Sequence, residues 1–292
     1  MINFLNYKKV YFSVSVFFLL ISILSLISWG LRPSIDFTGG SLLELKFAED
    51  IECQVPSIRD GLEDGKDMLV AVQQSEENCL LKLENIDDAE KNMLVQSLER
   101  NIGEVAVVRF ETVGPTLGRE LLTKTIIAIV LAVSLIMLYA AWQFKDFMYG
   151  VCAVLAMLHD TTILLGSFAF FGYFWGVSVD TLFVTAVLTT LSLSVHDTVV
   201  VFNSVRKEAE GHRGNVSPLQ YDEIVNRAMN DTIVRALGDS FTIMFMLLCL
   251  VLLGGQTIHW FSVALFIGTI LGTYSSTFVA TPLLTVWYRN LS

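Results

Sequence analysis

Charge is scarce in this 292-residue chain. Only 16% of residues are Asp, Glu, Lys or Arg, while 53% are hydrophobic. That balance excludes an ordinary soluble domain. Histidine is scarcer still, with four in all, too few and too scattered for a metal site by spacing. HExxH, GxSxG, a phosphate-binding P-loop and GxGxxG are all missing. Zinc proteases, nucleophile-elbow hydrolases and nucleotide-binding enzymes therefore have no footing, and the reading is of a chain that is not an enzyme, with no cofactor and no metal. Internal repeats and low-complexity tracts are also lacking. Basic residues are in deficit, 19 against 29 acidic, for a net charge of −10. Such a surface argues against nucleic acid as a partner.

What the chain has instead is long apolar runs. A helix needs about 20 apolar residues to cross a bilayer, and six stretches qualify. They are Val10–Trp29, Thr123–Trp142, Met148–Phe171, Val179–Phe202, Ser240–Leu253 (starting as early as Ile233) and Phe261–Tyr288. The first follows Lys8 and Lys9, exceeds a signal-peptide core in length and lacks a small-x-small cleavage site, so it reads as an uncleaved anchor. Lys8, Lys9, Lys145, Arg289 and the cluster Arg206, Lys207, Arg213, Arg227 and Arg235 all fall on one side of this alternation. The positive-inside rule then puts both termini in the cytoplasm and residues 31–122 outside. The expected plan is residues 1–30 as N-terminus and first span, 31–122 as an exported domain, and 123–292 as five further spans. A cytoplasmic loop at 203–234 is read as partly helical along the membrane surface.

The exported segment carries nineteen Asp/Glu against nine Lys/Arg, a balance of −10. Plain solubility accounts for that. Ser41–Phe47 alternates apolar and polar residues as a half-buried strand does. Val55–Leu62 suits a short helix, Met68–Val72 and Cys79–Leu83 a strand pair around Ser75–Asn78. Asp87 then caps a helix over Ala89–Ile102, Gly103 stops it, and Val105–Thr112 forms a last strand. Strand, helix, strand, strand, helix, strand is the ferredoxin-like α+β order. Cys53 and Cys79 both lie here, where the oxidising compartment permits a disulfide. Cys152 and Cys249 lie in spans and read as small core residues.

Ionisable groups inside lipid are costly, and so point to function. His159–Asp160 fall near the middle of the third span, and His196–Asp197 lie in the fourth, nearer its cytoplasmic end. Asp180 is 17 residues before Asp197, about 25 Å along a helix, and reads as an exposed N-cap. Neighbours in a helix point about 100° apart, so each His and its adjacent Asp are expected to meet different partners. Arg235 and Asp239 lie one turn apart at the start of the fifth span. Asp197 and Arg235 fall at similar depth, as an ion pair that either opens on protonation of Asp197 or locks two helices together. His159 and His196 suit polar links between helices. Gly172–Gly176 and Gly268–Gly272 have GxxxG spacing, the second followed by Thr273, Ser275 and Ser276. That face either packs tightly or admits water or a partner helix.

At these residues the chain resembles a known family. IDFTGG (Ile35–Gly40, with Asp36, Phe37, Gly39 and Gly40) is similar to the hallmark after the first span of SecD and SecF proteins. VGPTLGREL (Val113–Leu121, with Gly114 and Pro115), HDTTILLG (His159–Gly166), SVHDTVVVFNSVRKE (Ser194–Glu208) and GTYSSTFVATPLL (Gly272–Leu284, with Gly272, Ser275 and Ser276) resemble later segments of the same family, in order and across nearly the whole chain. The resemblance implies an RND-type half bundle of six transmembrane helices in the bacterial inner membrane. It implies an accessory role in the Sec translocase, beside SecD, the SecYEG channel and often YajC, acting on unfolded preproteins with the proton-motive force. It matches Asp197, Arg235 and Asp160 to the family's proton-coupling residues. His196 stands where the family has Asn, Asn203 where it has Asp, and Gly238–Asp239–Ser240 replaces a Thr/Ser-rich stretch, so Asp239 is placed to compete for Arg235.

Three other readings remain at this level. An RND-like exporter of small molecules or lipids requires a large apolar pocket in the exported segment, for which about 90 residues are few. A translocon scaffold requires every intramembrane Asp to be dispensable. An intramembrane aspartyl protease requires two Asp to face each other.

Overall fold

A computed structural model describes residues 2–48, 55–62, 68–75, 78–143, 147–211 and 217–291. The chain divides into two compact units, Pro33–Ile127 and Met1–Arg32 with Ala128–Ser292. Helix α1 (Lys8–Ser28) follows a short 3-10 turn, Phe4–Tyr7.

The smaller unit contains α2 (Ile35–Thr38), β1 (Gly40–Phe47), α3 (Val55–Gly61), β2 (Leu69–Ser75), β3 (Asn78–Leu83), α4 (Asp88–Asn101) and β4 (Val105–Val113). The strands form one antiparallel sheet in the order β2-β3-β1-β4, the ferredoxin-like arrangement expected from the element order. Strand periodicity sets the register. Leu43 and Leu45 of β1 and Leu81 and Leu83 of β3 point to one face, where Ile58, Leu62, Leu94 and Leu98 of the helices complete the core. Asp87 and Glu90 close a capping box at the start of α4, and Gly103, at φ 135°, turns the chain out of it. Ser97 and Asn101 of α4 both donate to the Gly61 carbonyl, which ties the end of α3 to α4. Cys79 is buried and disulfide-bonded, whereas Cys53 lies outside the described residues.

The two family-like motifs flanking this unit meet at one junction. Gly39 and Gly40 have φ of 72° and 118°, which L side chains rarely adopt. A Cβ on Gly39 would fall 2.8 Å from the Pro115 Cα, one on Gly118 2.8 Å from the Gly39 nitrogen, and one on Gly40 2.8 Å from the Leu83 carbonyl oxygen. Backbone therefore touches backbone at this point. Ser34 caps α2 by accepting the Asp36 N–H, and Ile35 and Phe37 are buried beside it.

The larger unit is helical, with α5 (Pro115–Gln143) running into it, then α6 (Phe147–Trp175), α7 (Thr181–Glu210), α8 (Pro218–Leu253), α9 (Gln256–Ser275), a π-helical segment (Ser276–Ala280) and α10 (Thr281–Leu291). Six helical stretches are long and apolar enough to cross a membrane, α9 through α10 counting as one. Small residues let the helices approach closely. A Cβ on Gly166 would lie 2.3 Å from the Ser22 Cβ of α1, and one on Gly268 2.2 Å from the Thr190 hydroxyl of α7. Gly272 faces Ser194 in the same way, so the second GxxxG pair is a packing face against α7. The first is not: Gly172 belongs to α6, while Gly176, at φ 68°, ends it. Asp180 caps α7 by accepting the Phe183 N–H, the expected cap, though the residue is partly buried and not exposed.

Two expectations change here. The stretch read as a loop is largely helical: α7 runs on to Glu210, and Pro218 starts α8, which continues into the fifth span. Ser217 and Gln220 form its capping box, and Tyr221, Val225, Ala228 and Met229 are buried in the bundle core. Tyr221 stacks on Tyr288 at 4.0 Å and its hydroxyl meets that of Tyr149, so the first turns of α8 are held by tertiary contacts. Cys249 is exposed rather than a core residue, while Cys152 is buried.

Candidate functional site

Asp160 lies near the middle of α6, 13 residues from Phe147 and 15 from Trp175, about 20 Å of helix rise from either end. It is 1% exposed. Three donors surround it. Ser194 of α7 donates to Oδ2 at 2.6 Å, Ser275 of α9 donates to the same oxygen at 2.5 Å, and His159 Nδ1 lies 2.9 Å from Oδ1. The glycine face of α9 makes this possible, because Gly272 lets α9 approach Ser194 until hydroxyls from two helices reach one carboxyl oxygen. Ser275 is the last residue of α9 before the π-helical segment, a feature that often accompanies functional sites.

The His159–Asp160 contact overturns the expectation that adjacent residues meet different partners. Their Cα–Cβ bonds diverge, yet the side chains are long enough for His159 Nδ1 to reach the carboxyl oxygen. His159 is itself 6% exposed, and its Nε2 is buried without a hydrogen-bond partner. Tyr274 lies over the ring with centroids 6.5 Å apart, and its hydroxyl donates to the Tyr11 carbonyl of α1. Asp160 has the His159 ring as its neighbour, and no Lys or Arg pairs with it among the described residues. A hydroxyl-lined layer adjoins this cage. Thr273 donates to Ser240 of α8 at 2.7 Å, Thr198 to the Ser194 carbonyl, and the Thr190 hydroxyl is buried and unpartnered. Ser276 donates to the Thr273 carbonyl.

The second expected cluster is not assembled as an ion pair. Asp197 is half-buried one turn beyond Ser194, and His196, Arg235 and Asp239 are exposed. Among the described residues no ion pair joins Arg235 to either Asp197 or Asp239. Equal depth on two spans does not fix which way each side chain faces, and that is why the pair was expected and is not present. A cavity of about 310 Å³ runs beside His196, between Leu135, Ile136 and Tyr139 of α5 and Ser192, Val195 and Val199 of α7. Asn203 is partly buried, and its Oδ1 has no partner. The sequence reading missed Ser194 as a ligand of Asp160. The signal available was the polar stripe Thr190, Ser194 and Thr198, spaced four apart on α7, of which Thr190 and Ser194 lie against the two glycines of α9.

A multi-pass helical bundle that seals a carboxyl group in its centre, joined to a small ferredoxin-like unit, is the class of protein these features define. Residues 94–290 match the family described as protein export membrane protein SecD/SecF, C-terminal, and residues 25–51 match the SecD/SecF GG motif. The chain belongs to the SecD/SecF family of protein export membrane proteins. It is 35% identical to the protein translocase subunit SecF of Thermobaculum terrenum, covering 98% of this chain and 94% of that one. It is 32% identical to the protein translocase subunit SecDF of Thermus thermophilus over 88% of this chain and 35% of that one. The crystal structure of SecDF, a translocon-associated membrane protein from Thermus, superposes with a TM-score of 0.86 at 29% identity, covering 99% of this chain and 39% of that chain. Relatives named as translocase subunits thus run the whole length of the chain, which makes it a multi-pass membrane protein with an accessory role in the Sec translocase.

Proposed function

We propose that the chain assists export of unfolded preproteins across the bacterial inner membrane by coupling inward proton movement to the translocase, as a non-enzymatic subunit. The observation that carries this reading is the Asp160 cage. A carboxyl group held in mid-bundle by hydroxyls and an imidazole, with no cation to neutralise it, can take up and release a proton without breaking an ion pair with Lys or Arg. One charge crossing 100 mV releases about 2.3 kcal/mol, so a few protons suffice to bias a conformational cycle. Asp160, Asp197 and Arg235 are assigned to proton coupling, with His159, His196 and Asp239 as polar support. In this reading Asp197 lines the lateral face and Asp160 the sealed centre. Both termini lie in the cytoplasm and residues 31–122 form the periplasmic domain.

SecD is the proposed partner for that lateral face. His196, Arg235 and Asp239 are exposed on helices long and apolar enough to span a membrane. Charged groups facing lipid are expensive, so a second protein surface is expected to cover them. The fused SecDF relatives, of which this chain spans 35–39%, support a second half in that role. SecYEG, YajC and the preprotein remain the further partners suggested by the family.

The test is pulse-chase export of a secreted reporter in cells carrying Asp160→Asn or Asp197→Asn, with membrane levels of each variant measured. Export slowed at normal protein level is expected for both. Normal export in both variants would leave the scaffold reading in its place.

A further inference from the structure

We propose that His159 is the proton port of Asp160, so that protons reach and leave the buried carboxyl through the imidazole and not directly from water. This rests on the proton-coupling reading above and adds the route.

The argument is one of access. Asp160 is 1% exposed, and both carboxyl oxygens already accept hydrogen bonds. Any proton must therefore pass through Ser194, Ser275 or His159. Both serines are buried, at 1% and 0% exposed. A serine hydroxyl relays a proton only when a donor faces its oxygen; both hydroxyls donate to Asp160, Ser275 also towards the Gly272 carbonyl, and none accepts from another group among the described residues. His159 carries a second ring nitrogen, on the side away from Asp160. With Asp160 as acceptor, Nδ1 carries the proton in the neutral ring, because the tautomer follows the partner. Nε2 is then a bare lone pair, and it is the buried atom left without a partner. Leaving a buried acceptor unsatisfied is costly, a cost without return in a purely structural histidine and expected in one that must accept a proton.

The step balances. A proton forms an N–H bond at Nε2, the Nδ1–H bond breaks, and that proton forms an O–H bond at Oδ1 of Asp160. The ring ends neutral with its proton on Nε2, and the carboxylate ends neutral. Release runs the same bonds in reverse. The groups facing this dyad are few. From α9 comes Tyr274, over the ring; from α1, Tyr11, whose carbonyl holds the Tyr274 hydroxyl; α7 brings Ser194, while its ionisable His196 and Asp197 follow on the next turn, His196 exposed. The π-helical segment has no ionisable residue, and in α10 Arg289, paired with Asp222, and Tyr288, stacked on Tyr221, are engaged elsewhere.

Time-resolved infrared spectroscopy of the full chain in lipid vesicles after a pH jump tests this. The Asp160 carboxyl band is identified by its loss in Asp160→Asn. In His159→Gln, which keeps a hydrogen-bond donor beside Asp160, the band is expected to reach its usual amplitude on the order of 100-fold more slowly. An unchanged rate would overturn the port while leaving Asp160 as the coupling group. Absence of any Asp160 band at every pH in the unsubstituted chain would overturn the port together with proton coupling at Asp160. A second measurement needs no variant at that site: nitrogen NMR of labelled histidines at neutral pH is expected to show His159 protonated at Nδ1 and bare at Nε2. The opposite tautomer would rule the port out.

Discussion

Lys82 shows how a single side chain on the small unit sets a pH dependence. It projects from β3 away from the leucine core, next to Leu42 of β1, and donates to the Pro33 carbonyl at 3.3 Å. Partial burial holds its ammonium below the ordinary lysine range. The folded state therefore binds this proton less readily than the unfolded chain does. The penalty is fully present below the folded pKa, falls as pH rises through it, and is gone by the ordinary lysine value of about 10.4. Replacing Lys82 with Met is expected to raise stability at neutral pH by less than about 1 kcal/mol, given its exposure. The variant should also lose part of the alkaline gain seen in the unsubstituted chain, as read by thermal unfolding of both proteins across that range. At this scale the sequence was legible where interactions are local. The caps at Asp87 and Asp180 depend on residues three positions away, and both are present. The Asp197–Arg235 pair depends on two helices' rotation about their own axes, which spacing does not encode, and it is absent.

Helix elements show the same division. Apolar length alone located six spans, and alternation at Ser41–Phe47, a turn between two short apolar runs and β-branched residues at Val105–Thr112 located four strands, because burial of one face is written into residue order. Apolar length stopped short where helices run on through polar residues: α5 begins at Pro115, α7 ends at Glu210, and α8 takes in the polar residues before Ile233 that read as a loop. There the capping box at Ser217 and Gln220 and the contacts of Tyr221 extend the helix. Close packing of α7 on α9 was foreshadowed by the Gly268–Gly272 spacing, though not its partner residues. Gly268→Ala would place a Cβ 2.2 Å from the Thr190 hydroxyl and 2.5 Å from its methyl carbon. Overpacking of this kind costs about 1–3 kcal/mol. Thr190→Ala removes both atoms, so the double variant is expected to recover most of the loss, and a double-mutant cycle by denaturant unfolding in detergent measures that coupling.

The whole chain alternates sides of a membrane in the proposed topology, which gives a direct check. Met93 of α4 and Leu219 of α8 are both exposed, at 62% and 72%, and lie on opposite sides in that topology. Cysteine at position 93 is expected to react with a membrane-impermeant thiol reagent in intact spheroplasts, and cysteine at position 219 only after the membrane is broken. The reverse pattern would invert the assignment. Family-like motifs at both borders of the small unit were readable as strings. That they form one junction, Gly39 and Gly118 in backbone contact, emerges only in three dimensions because 78 residues separate them.

The π-helical segment Ser276–Ala280 has a consequence for anyone who scans the last span residue by residue. One extra residue in a turn advances everything after it by about 100°. Side chains from Thr281 onward are thus out of phase with those before Ser276. A plot of mutational sensitivity against position should fit a single 3.6-residue wave up to Ser275, lose it for one turn, and resume with its crest displaced. Fitted as one unbroken helix, the same data would assign Thr281, which is fully buried, to the wrong side of the bundle.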